Sequence, residues 1–214
     1  MFAALKNEVT ARFDAIDLFL KASKNLKEDQ AAIIKGLMFV QVYAVYEYTV
    51  RSVVRLTIDS IKAHNHKMKD VTPSMMALFL DPEWDSLRDA GRRNEWEGRL
   101  KIFERAFSSD PLDLSSNTKL PTDGSHYRYT QLLMIFRVFG IKRLPVRRRR
   151  HQQRIEEVVD HRNAIAHGEE RAEDIGRRYA RSDIVRMVRQ MRSVCLLLIN
   201  VFDSFCADSS RHKR

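Results

Sequence analysis

Two residues near the end of an apolar-periodic segment have side chains suited to work on a phosphate group. Arg162 and His167 stand five positions apart in the stretch Arg-Asn-Ala-Ile-Ala-His-Gly. Arginine offers a planar pair of N–H groups to phosphate, and histidine transfers protons near neutral pH. Together they could cleave RNA without a metal ion, because a histidine can move the proton of the 2′-hydroxyl or of the leaving oxygen while an arginine stabilises charge on the phosphate oxygens. Asn163 directly follows the arginine and could orient either side chain.

The segment that carries these residues is predicted to be a helix ending at Gly168. At about 100° per residue, one arc of this helix collects the apolar residues Ile155, Val158, Val159, Ile165 and Ala166. Arg162 falls in the middle of that arc. A buried unpaired charge is costly, so Arg162 should pair with an acid, reach the rim of the fold, or meet a phosphate or a partner chain.

A second line of residues on the same helix is polar. Its members follow one another at spacings of four, three and four: Glu156, Asp160, Asn163 and His167. On an ideal helix Arg162 and His167 diverge by about 140°. A site on one chain would need the arginine to reach round or the helix to distort near Gly168. A site shared across a two-fold axis is easier to build.

The heptapeptide from Arg162 to Gly168, on the penultimate long helix of a basic chain, resembles the HEPN domains. The closest resemblance is to the RiboL-PSP-HEPN branch, also described as MAE_28990/MAE_18760-like. It implies an all-α, HEPN-like helical bundle with four long core helices, and an endoribonuclease that needs no metal and leaves a 2′,3′-cyclic phosphate end through its Arg-x4-His motif. One subgroup of toxins continues this motif as His-x-Tyr and is controlled by modification of the tyrosine. Here that position is Glu169, so we do not expect that form of control.

The resemblance also bears on biological role. It implies a toxin or antiviral (abortive-infection) effector, a homodimer, and an antitoxin or other defence-system protein as partner. The alternative is a non-catalytic RNA-binding or protein-interaction domain on the same helical scaffold. Incubating the protein with RNA in EDTA would separate these two classes.

Residue types and resemblance together predict three catalytic residues, Arg162, Asn163 and His167. Glu47 and Asp160 are candidate supporting acids. Glu47 precedes Arg51 by four residues on an apolar helical stripe. It therefore either forms an ion pair with Arg51 inside the fold or stands near Arg162 as an acid that supports the site.

Two further features could contact RNA. Four arginines follow Pro145, namely Arg147, Arg148, Arg149 and Arg150. They either bind phosphates or only favour solubility, and the helix dipole disfavours cations at a helix start, which makes a counter-anion more plausible. Trp84 and Trp96 stand among arginines and could stack on bases, although helically spaced tryptophans more often belong to a core. The net charge of +10 favours a polyanionic partner, and the motif makes RNA the first choice.

No metal or cofactor is predicted. His64 and His66 stand two residues apart at a helix end, a pattern more typical of a solvated terminus, and further ligands cannot be placed. Cys195 and Cys206 lie in an apolar helical segment and are expected to be reduced core residues. No signal-peptide pattern opens the chain, and the longest apolar run is too short to span a bilayer. We therefore expect a cytoplasmic protein with no membrane partner.

Apolar periodicity predicts that residues 1–214 form one helical domain. Four long helices are expected: one that breaks near 25–29, one that runs on to about Ala63, the motif helix, and a last helix from Ser182 to about Ala207. A further helix should span Tyr127 to Phe139 and end at Gly140. Residues of about 64–125 are predicted to be an insertion of short helices and a loop over 108–125, and residues 208–214 a frayed tail.

The last helix is apolar almost all the way round. Such a helix is covered either by the centre of its own bundle or by another subunit. With Arg162 in an otherwise apolar arc, this pattern predicts a homodimer. The stretch between the last two long helices, Gly168 to Arg181, is expected to be charged and irregular.

Overall fold

The computed structural model describes residues 1–89, 91, 94–112 and 126–213. Within these ranges the regular structure is helical, and no strand forms beyond two isolated β-bridges. The predicted all-α fold is therefore confirmed. From residue 113 onward, the predicted loop over 108–125 lies outside the described residues.

Nine α-helices occur in this part of the chain: α1 (Phe2–Ala22), α2 (Glu28–Ala63), α3 (Pro73–Phe79), α4 (Asp81–Asp89), α5 (Glu95–Ala106), α6 (Tyr129–Val138), α7 (Arg149–Ala166), α8 (Ala172–Arg177) and α9 (Arg181–Cys206). Short 3-10 helices cover Ser23–Asn25, Met68–Asp70 and Ser209–His212. The four predicted long helices are α1, α2, α7 and α9. The prediction of an irregular stretch after the motif is wrong, because α8 lies there; six residues are too few to show a helical period.

The chain forms two compact units. The first unit contains Met1–Leu56, His126–Tyr129 and Pro145–Asp203. The second contains Thr57–Ser125, Thr130–Leu144 and Ser204–Arg214.

The core of the first unit is built from α1, the first part of α2, α7 and α9. Its fully buried side chains include Val9, Phe13, Phe39, Tyr46, Val158, Val159, Met187 and Leu198. The apolar face of α9 is buried within its own chain, so a second subunit is not needed to cover that helix. Cys195 and Cys206 are both buried and neither forms a disulfide, in agreement with the prediction of reduced core residues.

Helices α2 and α8 cross where neither carries a side chain. A Cβ atom added to Gly36 would lie 1.9 Å from the carbonyl oxygen of Ala172. One added to Gly176 would lie 1.8 Å from the carbonyl oxygen of Ala32. Glycine at both positions is what allows the two backbones to approach this closely.

The second unit contains the short helices α3, α4 and α5, which the sequence predicts as an insertion. Helix α5 and its C-cap residue Phe107 carry an exposed apolar stripe that also includes Trp96, Leu100 and Phe103. The side chain of Trp96 is 72% exposed and that of Trp84 is 48% exposed, so neither is a core residue.

The C-terminal residues of this unit differ from the predicted frayed tail. Residues Ser209–His212 form a 3-10 helix, and His212 is fully buried. The backbone carbonyl of His212 accepts a hydrogen bond from the amide of Thr72 at 3.2 Å, and Lys213 forms a β-bridge with Val71. These contacts join residues far apart in sequence, which local composition does not reveal.

Candidate active site on helix α7

The apolar face of α7 leaves the core in its last turn. The side chains of Ile155, Val158 and Val159 are fully buried, whereas Ile165 is partly buried and Ala166 is exposed. The predicted arc therefore holds only for the first part of the helix. The last turn, which carries the motif, lies at the margin of the core.

The backbone on either side of His167 is fixed by a Schellman motif. The amide of Glu169 donates to the carbonyl of Ala164 at 2.9 Å, and the amide of Gly168 donates to that of Ile165 at 3.2 Å. Gly168 has a φ of 72°, the left-handed conformation that favours glycine. The predicted helix stop at Gly168 is confirmed, and His167 is exposed beside it.

Arg162 is partly buried and lies against an aromatic ring. Its guanidinium carbon is 4.9 Å from the centroid of the Tyr43 ring, which is a cation–π contact. Its Nη1 donates to Oδ1 of Asn163 at 3.1 Å. No carboxylate among the described residues forms an ion pair with Arg162. The guanidinium is therefore held in place while its charge remains able to attract an anion.

A short segment, 126–129, is clamped to the polar line of α7. The guanidinium of Arg128 donates to Glu156 at 2.7 Å and to Asp160 at 2.6 Å. The backbone amide of Tyr129 donates to the other oxygen of Glu156 at 2.9 Å. The first two acids of the polar line thus hold a segment that comes from elsewhere in the sequence.

This clamp places His126 in the electrostatic range of the motif. Burial first, and then the positive charges of Arg162, Arg128 and His167, lower the pKa of His126. The ring of His126 lies 6.2 Å from that of Tyr43, centroid to centroid. Its Nδ1 is buried and has no hydrogen-bond partner among the described residues. Arg162 and His167 therefore both influence the pKa of one imidazole in the same chain.

The two candidate supporting acids have different surroundings. Glu47 is partly buried on α2 and forms no ion pair with Arg51 in the described ranges. After burial, the charge of Glu47 is the largest cause that raises the pKa of Tyr43, and it opposes the lowering at His126. These electrostatic effects favour the interpretation of Glu47 as an acid near the site. Asp160 pairs with Arg128 and positions the 126–129 segment.

The opposite side of α7 is fixed by a chain of hydrogen bonds. Nε2 of His161 lies 2.7 Å from the hydroxyl of Tyr179, which donates to Glu157 at 2.7 Å. The carbonyl of Tyr179 accepts from Nζ of Lys35 at 2.6 Å. These bonds connect α7 to α2 and to the chain after α8, so the motif stands on a supported helix.

The four consecutive arginines lie at the start of the same helix. Arg148 is its N-cap, and all four side chains from Arg147 to Arg150 are exposed. None forms an ion pair with a carboxylate in the described ranges. At 1.5 Å per residue, Arg149 stands roughly 20 Å along the helix from Arg162. Phosphate contact and solubility both remain compatible with this placement.

The described residues are helical, and the penultimate long helix ends in Arg-x4-His and a glycine stop. The family model described as MAE_28990-like HEPN matches residues 1–211, and the chain belongs to this family. Membership suggests an RNase or nucleotide-related function. A search of curated proteins and a search of solved structures each gave no match. Within the described part of the chain, every helix is too short or too polar to cross a membrane.

Sequence reasoning missed His126 and Tyr43. Neither belongs to the Arg-x4-His motif, and both reach it through tertiary contacts. The one usable signal was charge: Arg128 and the acids Glu156 and Asp160 are complementary, and pairing them would have brought His126 to α7.

Proposed function

We propose that this chain is a metal-independent endoribonuclease whose catalytic residues are Arg162, Asn163 and His167, joined by His126. The observation that carries the proposal is that Arg162, without a carboxylate partner among the described residues, and His167 both lower the pKa of the partly buried His126, whose Nδ1 has no hydrogen-bond partner among those residues. A guanidinium with two imidazoles can hold a phosphodiester while protons move on either side of it. Membership of the HEPN family agrees with this class of reaction.

The reaction needs one bond exchange and two proton transfers. The 2′-oxygen attacks the adjacent phosphorus, the bond to the 5′-oxygen breaks, and a 2′,3′-cyclic phosphate and a 5′-hydroxyl form. One imidazole accepts the proton of the 2′-hydroxyl and the other donates a proton to the leaving oxygen. We assign these roles to His126 and His167.

The remaining residues stabilise charge and geometry. Arg162 binds the non-bridging oxygens, where negative charge increases in the transition state. Asn163 accepts a hydrogen bond from Arg162 and so holds the guanidinium. Glu47 supports His126 through its charge, and Asp160 acts through Arg128.

The test is cleavage of assorted RNAs by the purified protein in EDTA. His167→Ala should lower the rate by ~10² to 10⁴-fold, the usual worth of general acid–base catalysis. Arg162→Ala should lower it by ~10² to 10³-fold, the usual loss for a preorganised charge donor. Because the two act as one unit, the double variant should be scarcely worse than the poorer single variant. His151→Ala, on the same helix but outside the group, is the control and should cleave normally.

The variant His167→Ala can also show that the motif is not catalytic. The side chain of His167 is exposed, so its replacement should leave the fold and the helical circular dichroism unchanged. Equal cleavage by wild type and by a folded, RNA-binding His167→Ala would remove the catalytic assignment. The non-catalytic RNA-binding or interaction domain would then take its place.

We also propose that the chain is a homodimer, for a reason other than the apolar face of α9. An open groove of about 460 Å³ lies between α1 and α2, and its walls include Phe19 and Leu37. These side chains are 48% and 41% exposed, and contiguous exposed apolar surface of this kind often marks an interface. Sedimentation should give a dimer for wild type and a shift to monomer for Leu37→Glu. A clean wild-type monomer at micromolar concentration would contradict this.

A role as a toxin or antiviral effector, with an antitoxin or other defence-system partner, rests on family resemblance. It requires that the RNA cleaved belongs to the cell in which the protein is made. Expression of wild type should then arrest growth, whereas expression of His167→Ala should not. Normal growth with active wild type would separate ribonuclease activity from a toxin role.

A further inference from the structure

Three histidines from two distant parts of the sequence meet in the second unit. His64 and His66 follow the end of α2, and His212 ends the C-terminal 3-10 helix. Each offers one ring nitrogen, and the three nitrogens lie within 4.8 Å of one another. Nε2 of His66 is 3.3 Å from Nδ1 of His212. Two histidine nitrogens on one tetrahedral zinc ion, each at its usual bond length, are also separated by roughly 3.3 Å.

One hydrogen bond to the backbone and one within the cluster hold these rings, and a cation bound by His66 and His212 would replace the proton that Nε2 of His66 and Nδ1 of His212 share. Nδ1 of His64 donates to the carbonyl of Ser60 at 2.7 Å, so Nε2 of the neutral ring carries a free lone pair. A backbone carbonyl that fixes the tautomer in this way is a common support of metal-binding histidines. Nε2 of His212 is buried and has no hydrogen-bond partner among the described residues.

The backbone holds two members of the cluster in place. The carbonyl of His66 accepts from the amide of Leu112 at 3.1 Å, and that of His212 accepts from Thr72 at 3.2 Å. The ring of His212 also packs on Phe205, with ring centroids 4.9 Å apart. His66 and His212 are buried, whereas His64 is exposed. Two of the three candidate ligands are therefore held in place by the fold, and the third lies at the surface, where a cation can enter.

We propose that His64, His66 and His212 bind one divalent transition-metal ion, with zinc as the first choice. Imidazole nitrogen is a preferred ligand for such ions, and three protein ligands leave a fourth tetrahedral position for water. The bound ion would join the C-terminal 3-10 helix to the end of α2. It would stabilise the fold, since it binds the folded chain only.

Zinc itself is the probe, added to protein that carries no polyhistidine tag and has been stripped with EDTA and freed of the chelator. Calorimetry should give one zinc ion per chain, and zinc should raise the unfolding temperature. Cobalt in place of zinc should give the visible absorption bands of a four-coordinate site.

The informative variant is His64→Ala, because an exposed residue can be replaced without unfolding the core. Loss of a residue that only hydrogen-bonds to a metal ligand weakens metal binding by ~10 to 100-fold. Loss of the ligand His64 itself should weaken zinc binding by at least this much. It should also abolish the rise in unfolding temperature. His151→Ala makes the same chemical change outside the cluster and should bind zinc as wild type does.

His212→Asn, checked for folding by circular dichroism, should lose zinc binding in the same way. Failure of wild type to bind zinc in calorimetry, or an affinity of His64→Ala equal to that of wild type, would overturn the proposal.

Discussion

Two buried imidazole nitrogens, Nδ1 of His126 and Nε2 of His212, lack a hydrogen-bond partner among the described residues, and their surroundings differ in charge. Around His126 stand the guanidinium groups of Arg162 and Arg128 and the imidazole of His167, all of which lower its pKa. Around His212 stand two other imidazoles, which are ligands for a cation when neutral. The same side chain is thus proposed to meet an anion in one unit and a cation in the other. The neighbours of a histidine decide its ligand as much as the histidine does.

The sharpest way to break this comparison is to remove one histidine from each group. His167→Ala should lose ~10²-fold or more of the RNA cleavage in EDTA yet still take up one zinc ion per chain. His64→Ala should lose zinc yet cleave RNA in EDTA at the wild-type rate. One variant that loses both properties would show that the two histidine groups are not independent.

Replacing His126 tests whether the cationic surroundings serve proton transfer. His126→Gln should lower kcat/KM by ~10²-fold, at the low end for a general acid or base. Because the pKa of His126 is lowered from 6.5, its neutral form persists to more acidic pH, and activity that needs it should fall only below pH 6.5. The pH profile of kcat/KM in EDTA should therefore lose its acidic limb in the variant. A limb that persists in His126→Gln would leave His126 with a positioning role.

The smallest expected effect concerns the arginines at the start of α7. If Arg147 to Arg150 bind phosphates, replacing all four by alanine should flatten the slope of log affinity against log salt by up to ~4 units. The variant should still cleave RNA at saturating concentration, since the motif lies at the other end of the helix. An unchanged slope would assign the run to solubility and confine the anion site to the surroundings of His126.

Most of the proposed anion site follows from the sequence, because its residues are neighbours on one helix. Arg162, Asn163 and His167 share one helix, and Gly168 marks the end of that helix in a way that backbone sterics dictate. His126 could not be predicted, because it reaches the motif only through the ion pairs of Arg128.

The histidine cluster shows the same limit more strongly. The sequence places His64 and His66 together and gives no reason to add a residue from the C-terminal tail. That residue, His212, is positioned by backbone hydrogen bonds. Backbone hydrogen bonds do not depend on the type of side chain, so the sequence does not reveal them. The long helices were predictable because their apolar residues recur with a 3.6-residue period that can be read from adjacent sequence. Helix α8 is too short to show this period.

The crossing of α2 and α8 has a consequence for how this sequence can vary. The oxygen atoms that a Cβ would meet at Gly36 and Gly176, at 1.9 Å and 1.8 Å, are backbone atoms and cannot rotate away. A library of all codons at these two positions should return glycine alone at both. A second substitution at one position cannot make room for a larger residue at the other, because both positions already hold glycine, the smallest residue. The positions most resistant to change in this chain therefore include two that have no side chain with which to do chemistry.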